Sequence, residues 1–351
     1  MASKEQKSSM LYKKILVTGA AGFIGFHLCK TLLEQGLTVV GLDNINDYYD
    51  VNLKYARLQE LGIQRAEAEQ WEQSTVSEKY PSFQFVRLNV EDRGALPQLF
   101  EKEAFDAVVH LAAQAGVRYS LENPMAYVDS NLVGFANILE SCRQYHIKHL
   151  VYASSSSVYG ESDQVPFAED AHVDYPISLY AATKKANELM AHSYSHLYQI
   201  PTTGLRLFTV YGPWGRPDMA PVLFASAILE DRSINVFNNG DLSRDFTYID
   251  DIIQGIILTL NHPPVQEKAQ PWYQVMNVGN GAPVLLMEFI ETLETNLGKE
   301  AKKNNLPMQP GDVSCTWADT TKLHLLGYKS RTPLQEGVRK FVEWYKMYLN
   351  I

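Results

Sequence analysis

Cysteine is scarce in this chain, and the three present, Cys29, Cys142 and Cys315, share no CxxC spacing. That excludes a disulfide framework and a cysteine-based zinc site, so all three are read as reduced thiols buried as small hydrophobes. Long apolar runs are missing too. None reaches the ~18 residues of a membrane span, and the polar residues 1–10 are followed by no signal-like apolar stretch. Positive charge is short as well: 31 lysines and arginines face 40 aspartates and glutamates, a formal net charge of -9. Such a surface does not displace counterions from nucleic acid. Nucleic-acid and membrane partners are therefore excluded, and an anionic small molecule would need arginines and amide dipoles gathered locally. The expectation is a soluble cytoplasmic enzyme.

What the chain has is apolar residues in a regular arrangement: 46% of its 351 residues are hydrophobic, enough for a large core. Continuous apolar strands are predicted at 14–18, 38–43, 83–88, 107–111, 150–154 and 202–207, with amphipathic helices between them, the first at 23–35. Buried parallel strands separated by helices give an α/β fold, a Rossmann-type doubly wound parallel sheet. Residues 1–12 form a flexible extension and 13–207 the dinucleotide-binding domain, to which 246–277 returns. Residues 208–245 and 278–351, where Gly, Pro and Asn become frequent, form a smaller mixed α/β substrate lobe ending in a helix at 333–349. The polar stretch 50–81 is a surface insertion with a helix near 53–61 and no function that the sequence discloses.

The first strand runs straight into TGAAGFIG, with Gly19, Gly22 and Gly25 three apart. A glycine turn between strand and helix offers backbone N–H groups and a positive helix end to a pyrophosphate. Asp43, in VVGLDN at the end of the next strand, suits both ribose hydroxyls of adenosine and repels a 2′-phosphate, which selects NAD over NADP. Further along, Tyr180 and Lys184 in SLYAATKK lie one helical turn apart on one face. A lysine and a bound nicotinamide cation favour phenolate, fitting Tyr180 as a general base. The strand before them ends in ASSSSVYG, a row of hydroxyls at the ligand-binding edge of a parallel sheet.

TGAAGFIG, Asp43, HLAAQAGV, SSSSVYG and YAATK follow one another as in the extended short-chain dehydrogenases that act on nucleotide sugars, the NAD-dependent epimerase/dehydratase family. The chain resembles that family from about residue 12 onward. The resemblance implies NAD contacts at Gly19, Gly22, Phe23, Ile24, Gly25, Asp43, Asn44, Asn89, Val90, Leu111, Ala112, Ala113, Tyr180 and Lys184. Asn89 replaces the family's usual aspartate beside the adenine. Ser155 matches the catalytic hydroxyl, with Ser156 and Ser157 adjacent and the choice among the three open. The segments LFTVYGPWGRPDMA and DNINDYYDVNLKYARL are closely similar to those of UDP-glucuronate 4-epimerases. In that group the positions of Thr209 and Arg216 hold the sugar carboxylate, for which a guanidinium fork and a hydroxyl are suited. Arg244, in SRDFTYIDD, corresponds to a diphosphate contact and Asp312, in QPGDV, to a uridine ribose contact. Arg118 is a further substrate-loop candidate, and Gln309 stands where the family often has arginine.

The resemblance thus implies C4 epimerisation of UDP-glucuronate to UDP-galacturonate through a 4-keto sugar, with NAD regenerated in each turnover. It also implies a homodimer built on the YxxxK helix and the helix before it, 124–145. A UDP-glucuronate decarboxylase would carry glutamate at Ser157, and a 4,6-dehydratase Asp-Glu at Ser156 and Ser157. A UDP-glucose 4-epimerase needs no carboxylate clamp. A non-catalytic NAD-binding regulator of this fold would have lost Tyr180 or Lys184, and both are present. His192 and His196 have zinc-ligand spacing but no third ligand, so no metal is expected.

Overall fold

Apolar stretches form the large sheet at the expected places: β1 (Lys14–Thr18), β2 (Thr38–Asp43), β4 (Phe83–Arg87), β5 (Ala107–His110), β6 (His149–Ser155) and β7 (Thr202–Leu207), joined by β3 (Ser74–Val76) and β8 (Tyr273–Val278). This computed structural model describes residues 11–162, 164–265, 272–309 and 312–351. The expected extension 1–12 lies outside the described residues except Leu11 and Tyr12, and Tyr12 is buried beside the His149 ring.

The strand order is β8-β7-β6-β5-β1-β2-β4-β3, every pairing parallel except β3 on β4. Successive residues of β1 serve opposite faces, as a doubly covered parallel sheet requires. Ile15 and Val17 pack into one core with Phe26 and Ile252, while Leu16 packs into the other with Val108, Phe135 and Ile138. Each such buried side chain contributes about 1.5–3 kcal/mol. Chain order reverses between β1 and β5, and the crevice beyond the carboxyl ends of those strands is where an open α/β sheet receives ligands.

Outside the large sheet Thr209–Tyr211 pairs with Phe246–Tyr248, and the smaller lobe carries two further two-stranded sheets, Ser233–Phe237 with Lys302–Leu306 and Ser243–Arg244 with Val284–Leu285. Its helices are Ala220–Leu229, Leu286–Leu297 and Leu334–Leu349. Helix Ile249–Leu260 packs against Phe23–Glu34, so one apolar core runs under both lobes.

Two segments differ from expectation. The stretch 50–81 adds the antiparallel edge strand β3 and carries a helix, Val51–Glu60, that sends Arg57 into the interior. The single helix expected at 124–145 is divided into Pro124–Tyr127, a wider π turn at Val128–Gly134, and Phe135–Gln144. Asn187 Nδ2 donates to the Asn131 carbonyl at 2.6 Å, while the Asn131 amide is held by Gln114 and Thr183. These tertiary bonds compete with the regular ladder at that point. Among the described residues, no helix is long and apolar enough to cross a membrane.

Candidate active site

The site begins where β1 ends. Thr18 Oγ1 accepts from Leu111 and Ala112 N–H at 3.2 and 3.1 Å and pairs with His110 Nδ1 at 2.8 Å, fastening the β5 exit to the glycine turn. Gly19 has φ +75°, and a Cβ there would stand 2.9 Å from the Ala112 nitrogen. A Cβ on Gly25 would run into the Gly19 carbonyl. The backbone is therefore bare where helix Phe23–Glu34 starts. Asp43, buried at the end of β2, accepts from the N–H groups of Ala21 (3.1 Å) and Ile45 (2.8 Å).

Gly19, Gly22, Phe23, Ile24, Gly25, Asp43, Asn44, Val90, Leu111, Ala112 and Ala113 line one cavity with Tyr180 and Lys184. Asn89 does not line it; its Oδ1 accepts from Asn44 Nδ2 at 3.1 Å, so it reaches the cavity through Asn44. The side-chain-free cradle and the carboxylate beyond it fit a dinucleotide whose pyrophosphate lies on the turn.

At the end of β6 four serines follow one another, Ser154 to Ser157. Ser154 donates to Glu188 at 2.7 Å, and Glu188 is forked by Arg206 at 2.8 and 2.9 Å, both charged side chains buried. Ser155 accepts from the Ser157 N–H at 3.2 Å and donates to the Ser157 hydroxyl at 3.2 Å, and it lines the cavity with Tyr180. Ser156 and Ser157 line the cavity beside it. Of the three serines left open by the sequence, Ser155 is the one whose hydroxyl holds the Tyr180 phenol down against burial.

Helix Leu179–Tyr198 starts on a Ser178 cap, whose hydroxyl accepts from Ala181 N at 3.1 Å. One turn separates Tyr180 from Lys184, whose Nζ stands 6.0 Å from the Tyr180 ring centroid and donates to the Ala153 carbonyl at 2.9 Å. Burial pushes Lys184 down to about 8. Tyr180 is pushed up by burial, against the Ser155 hydroxyl and the charge of Arg216. Among the protein's own groups burial dominates, because it takes phenolate and ammonium alike out of water.

Thr209 and Arg216 line the same cavity from the other lobe. Arg216 is already paired: its Nε and Nη2 fork Asp218 at 3.0 and 2.5 Å, and Tyr48 donates to Asp218 at 2.9 Å. Tyr48 and Asp218 were missed by sequence reasoning, although both stand inside the two most family-specific segments. Arg244 and Asp312 are brought together as an ion pair at 2.6 Å, outside the residues lining the cavity. Arg118 is exposed, its guanidinium 5.3 Å from the Phe237 ring centroid. The expected cluster of arginines therefore does not gather around this cavity, which Arg216 lines together with Lys54 and Lys184. His192 and His196 stack with ring centroids 6.4 Å apart, and no group of three or more metal-ligating side chains occurs among the described residues.

The family model for the NAD dependent epimerase/dehydratase family matches residues 15–279. Protein CapI of Staphylococcus aureus is 51% identical over 95% of this chain and 99% of its own length. A probable UDP-glucuronate 4-epimerase of Rhizobium meliloti is 48% identical over 95% of this chain and 96% of its own. Among solved structures, UDP-glucuronic acid 4-epimerase from Bacillus cereus, in complex with UDP-glucuronic acid and NAD, superposes with a TM-score of 0.83. It is 36% identical, over 95% of this chain and 99% of its own.

Proposed function

Since the chain belongs to the NAD dependent epimerase/dehydratase family, we propose that it interconverts UDP-glucuronate and UDP-galacturonate at C4 of the sugar. One observation carries the reading. Thr209 and Arg216, a hydroxyl and a guanidinium suited to a carboxylate, line the same cavity as Tyr180, Ser155 and the glycine turn.

The turn at Gly19, Gly22 and Gly25 would hold the pyrophosphate of NAD, Asp43 its adenosine ribose, and Asn44 and Val90 its adenine, with Asn89 acting through Asn44. Leu111, Ala112 and Ala113 flank the nicotinamide half. Bound there, NAD supplies a two-electron acceptor that is restored within each turnover. Tyr180 takes the proton of the C4 hydroxyl and later returns one to the 4-keto oxygen. Ser155, which lines the cavity with Tyr180 and lowers its phenol, steers that proton. Lys184 places a cation below the phenolate. The sugar turns between the two transfers, so that C4 presents its other face.

Arg244 and Asp312 exchange their mutual ion pair for the diphosphate and the uridine ribose, and Arg118 approaches the substrate loop from outside. Residues 13–207 with 246–277 form the cofactor part, and 208–245 with 278–351 the sugar part. Leu189, Leu197 and Tyr198 on the Tyr180 helix, together with Met125, expose apolar surface, which favours a homodimer through that helix. The setting is the cytoplasm, where the free cysteines stay reduced.

The deciding experiment is incubation of the purified protein with UDP-glucuronate, no NAD being added, followed by separation of products. UDP-galacturonate without UDP-pentose is the expected outcome; UDP-pentose as the main product overturns the reading.

A further inference from the structure

The Arg216 side chain is 22% exposed and that of Asp218 is 27% exposed, and the two are joined by a bidentate fork. Asp218 is held in turn by the Tyr48 hydroxyl at 2.9 Å, and the Tyr48 ring lies 5.9 Å from the Arg216 guanidinium carbon. Tyr48 fits because Gly116 has no side chain, since a Cβ there would stand 2.5 Å from the Tyr48 oxygen. Tyr48 and Arg216 both line the cavity that contains Tyr180. Burial pushes the Asp218 carboxyl up, but the Arg216 charge and the hydrogen bonds from Arg216 and Tyr48 outweigh it and hold the group below the ordinary range. Near neutral pH the guanidinium is thus matched by a carboxylate of the protein itself. Asp218 occupies the side-on fork of that guanidinium, Nε and Nη2, so an incoming carboxylate that takes the same bidentate seat has to displace it.

We propose that Asp218 is a specificity-determining residue, an internal carboxylate that competes with the substrate's carboxylate for Arg216. The proposal rests on the reading that Arg216 receives the sugar acid. Capture of the sugar is then an exchange of partners on one guanidinium, and the cation is not left unpaired before, during or after it. Leaving a half-buried charged donor without an acceptor is costly. A sugar that must turn over between two proton transfers has to loosen its carboxylate, and Asp218 takes up the donors that are released. A residue that merely braced Arg216 would strengthen carboxylate binding. A competitor weakens it, so the two roles predict opposite signs.

The test is equilibrium binding of UDP-glucuronate, UDP-glucose and UDP to wild type, D218N, R216A and the double variant, by calorimetry on each holoenzyme. UDP, which has no sugar, checks that the site is intact; should D218N fail to bind it, D218S is used instead. The expected result is a preference for UDP-glucuronate over UDP-glucose roughly three- to tenfold greater in D218N than in wild type, as for removal of one charged partner at a part-exposed site. In turnover, KM for UDP-glucuronate falls together with kcat. With R216A the Asp218 substitution changes neither. An unchanged or smaller preference in D218N overturns the proposal, as does an equal gain in the R216A background. Absence of UDP-galacturonate formation by wild type would instead defeat the functional reading, which the binding ratios do not depend on.

Discussion

Lys184 points its buried ammonium at the backbone carbonyl of Ala153, 2.9 Å away, two residues before Ser155. A carbonyl oxygen offsets only part of what an ammonium loses on leaving water. Burial accordingly lowers Lys184 from 10.5 to about 8. An unfolded chain keeps the proton up to the higher value, whereas the folded protein gives it up at the lower one. Between pH 8 and 10.5 the unfolded state binds more protons, so wild-type stability gains from rising pH across that window. Below pH 8 the penalty is present in full. Replacing Lys184 by Met removes the charge and retains the length of the side chain. With both proteins freed of nucleotide, the melting temperature of K184M relative to wild type should be highest at pH 7 and decline steadily towards pH 10.5. Turnover should be lost at every pH. Melting curves whose separation does not change with pH would show that the ammonium carries no such penalty.

Arg57 has a different task. Fully buried, it donates to the Ala21 carbonyl at 2.9 Å and the Trp214 carbonyl at 2.6 Å, with the Tyr49 hydroxyl as a third partner at 2.8 Å. Ala21 is in the glycine turn, and Trp214 stands two residues before Arg216. One guanidinium therefore ties the glycine turn to the segment that carries Arg216. R57M would leave both carbonyls short of a donor, at a cost of about 2–4 kcal/mol. Binding of NAD and of UDP-glucuronate should weaken together. R57K should rescue little, since an ammonium does not reproduce the planar fork. A variant that melts earlier yet binds both ligands as wild type does would reduce Arg57 to a packing role.

These two residues also mark how far the sequence could be read. The strand ends, the glycine turn and Asp43 were legible because each is a local pattern: an apolar run, a steric requirement, an acid at a strand exit. The insertion 50–81 gave no function because the partners of Arg57 are backbone carbonyls 36 and 157 positions away, and a carbonyl has no residue-type signature. Asp218 was in plain view in RPDMA. Its pairing with Arg216 is a matter of side-chain direction, which spacing does not specify. The break in the helix at 124–145 was hidden for a similar reason, since the Asn187 amide that takes the Asn131 carbonyl comes from another element. Arg118 has only its neighbours in sequence to mark it, and its exposure follows from how the loop after β5 runs.

The keto sugar of this chemistry is open to a side reaction. A 4-keto sugar with a carboxyl group on C5 is a β-keto acid, and such acids lose carbon dioxide when the C5–carboxylate bond aligns with the ketone π system. A clamp that merely holds the substrate would contribute equally to both outcomes, whereas one that fixes the carboxylate away from that alignment also sets the product ratio. Thr209 and Arg216 line the same cavity as the glycine turn and, on the proposed reading, restrict rotation about that bond. Substituting either should therefore raise UDP-pentose relative to UDP-galacturonate as well as raising KM, with R216A larger in effect than T209A because it removes a charged fork. Products are separated at equal extents of conversion, so that weaker binding does not distort the ratio. If R216A needs more substrate but yields the wild-type proportion of pentose, the clamp binds without steering, and protection of the keto acid has to come from elsewhere in the site.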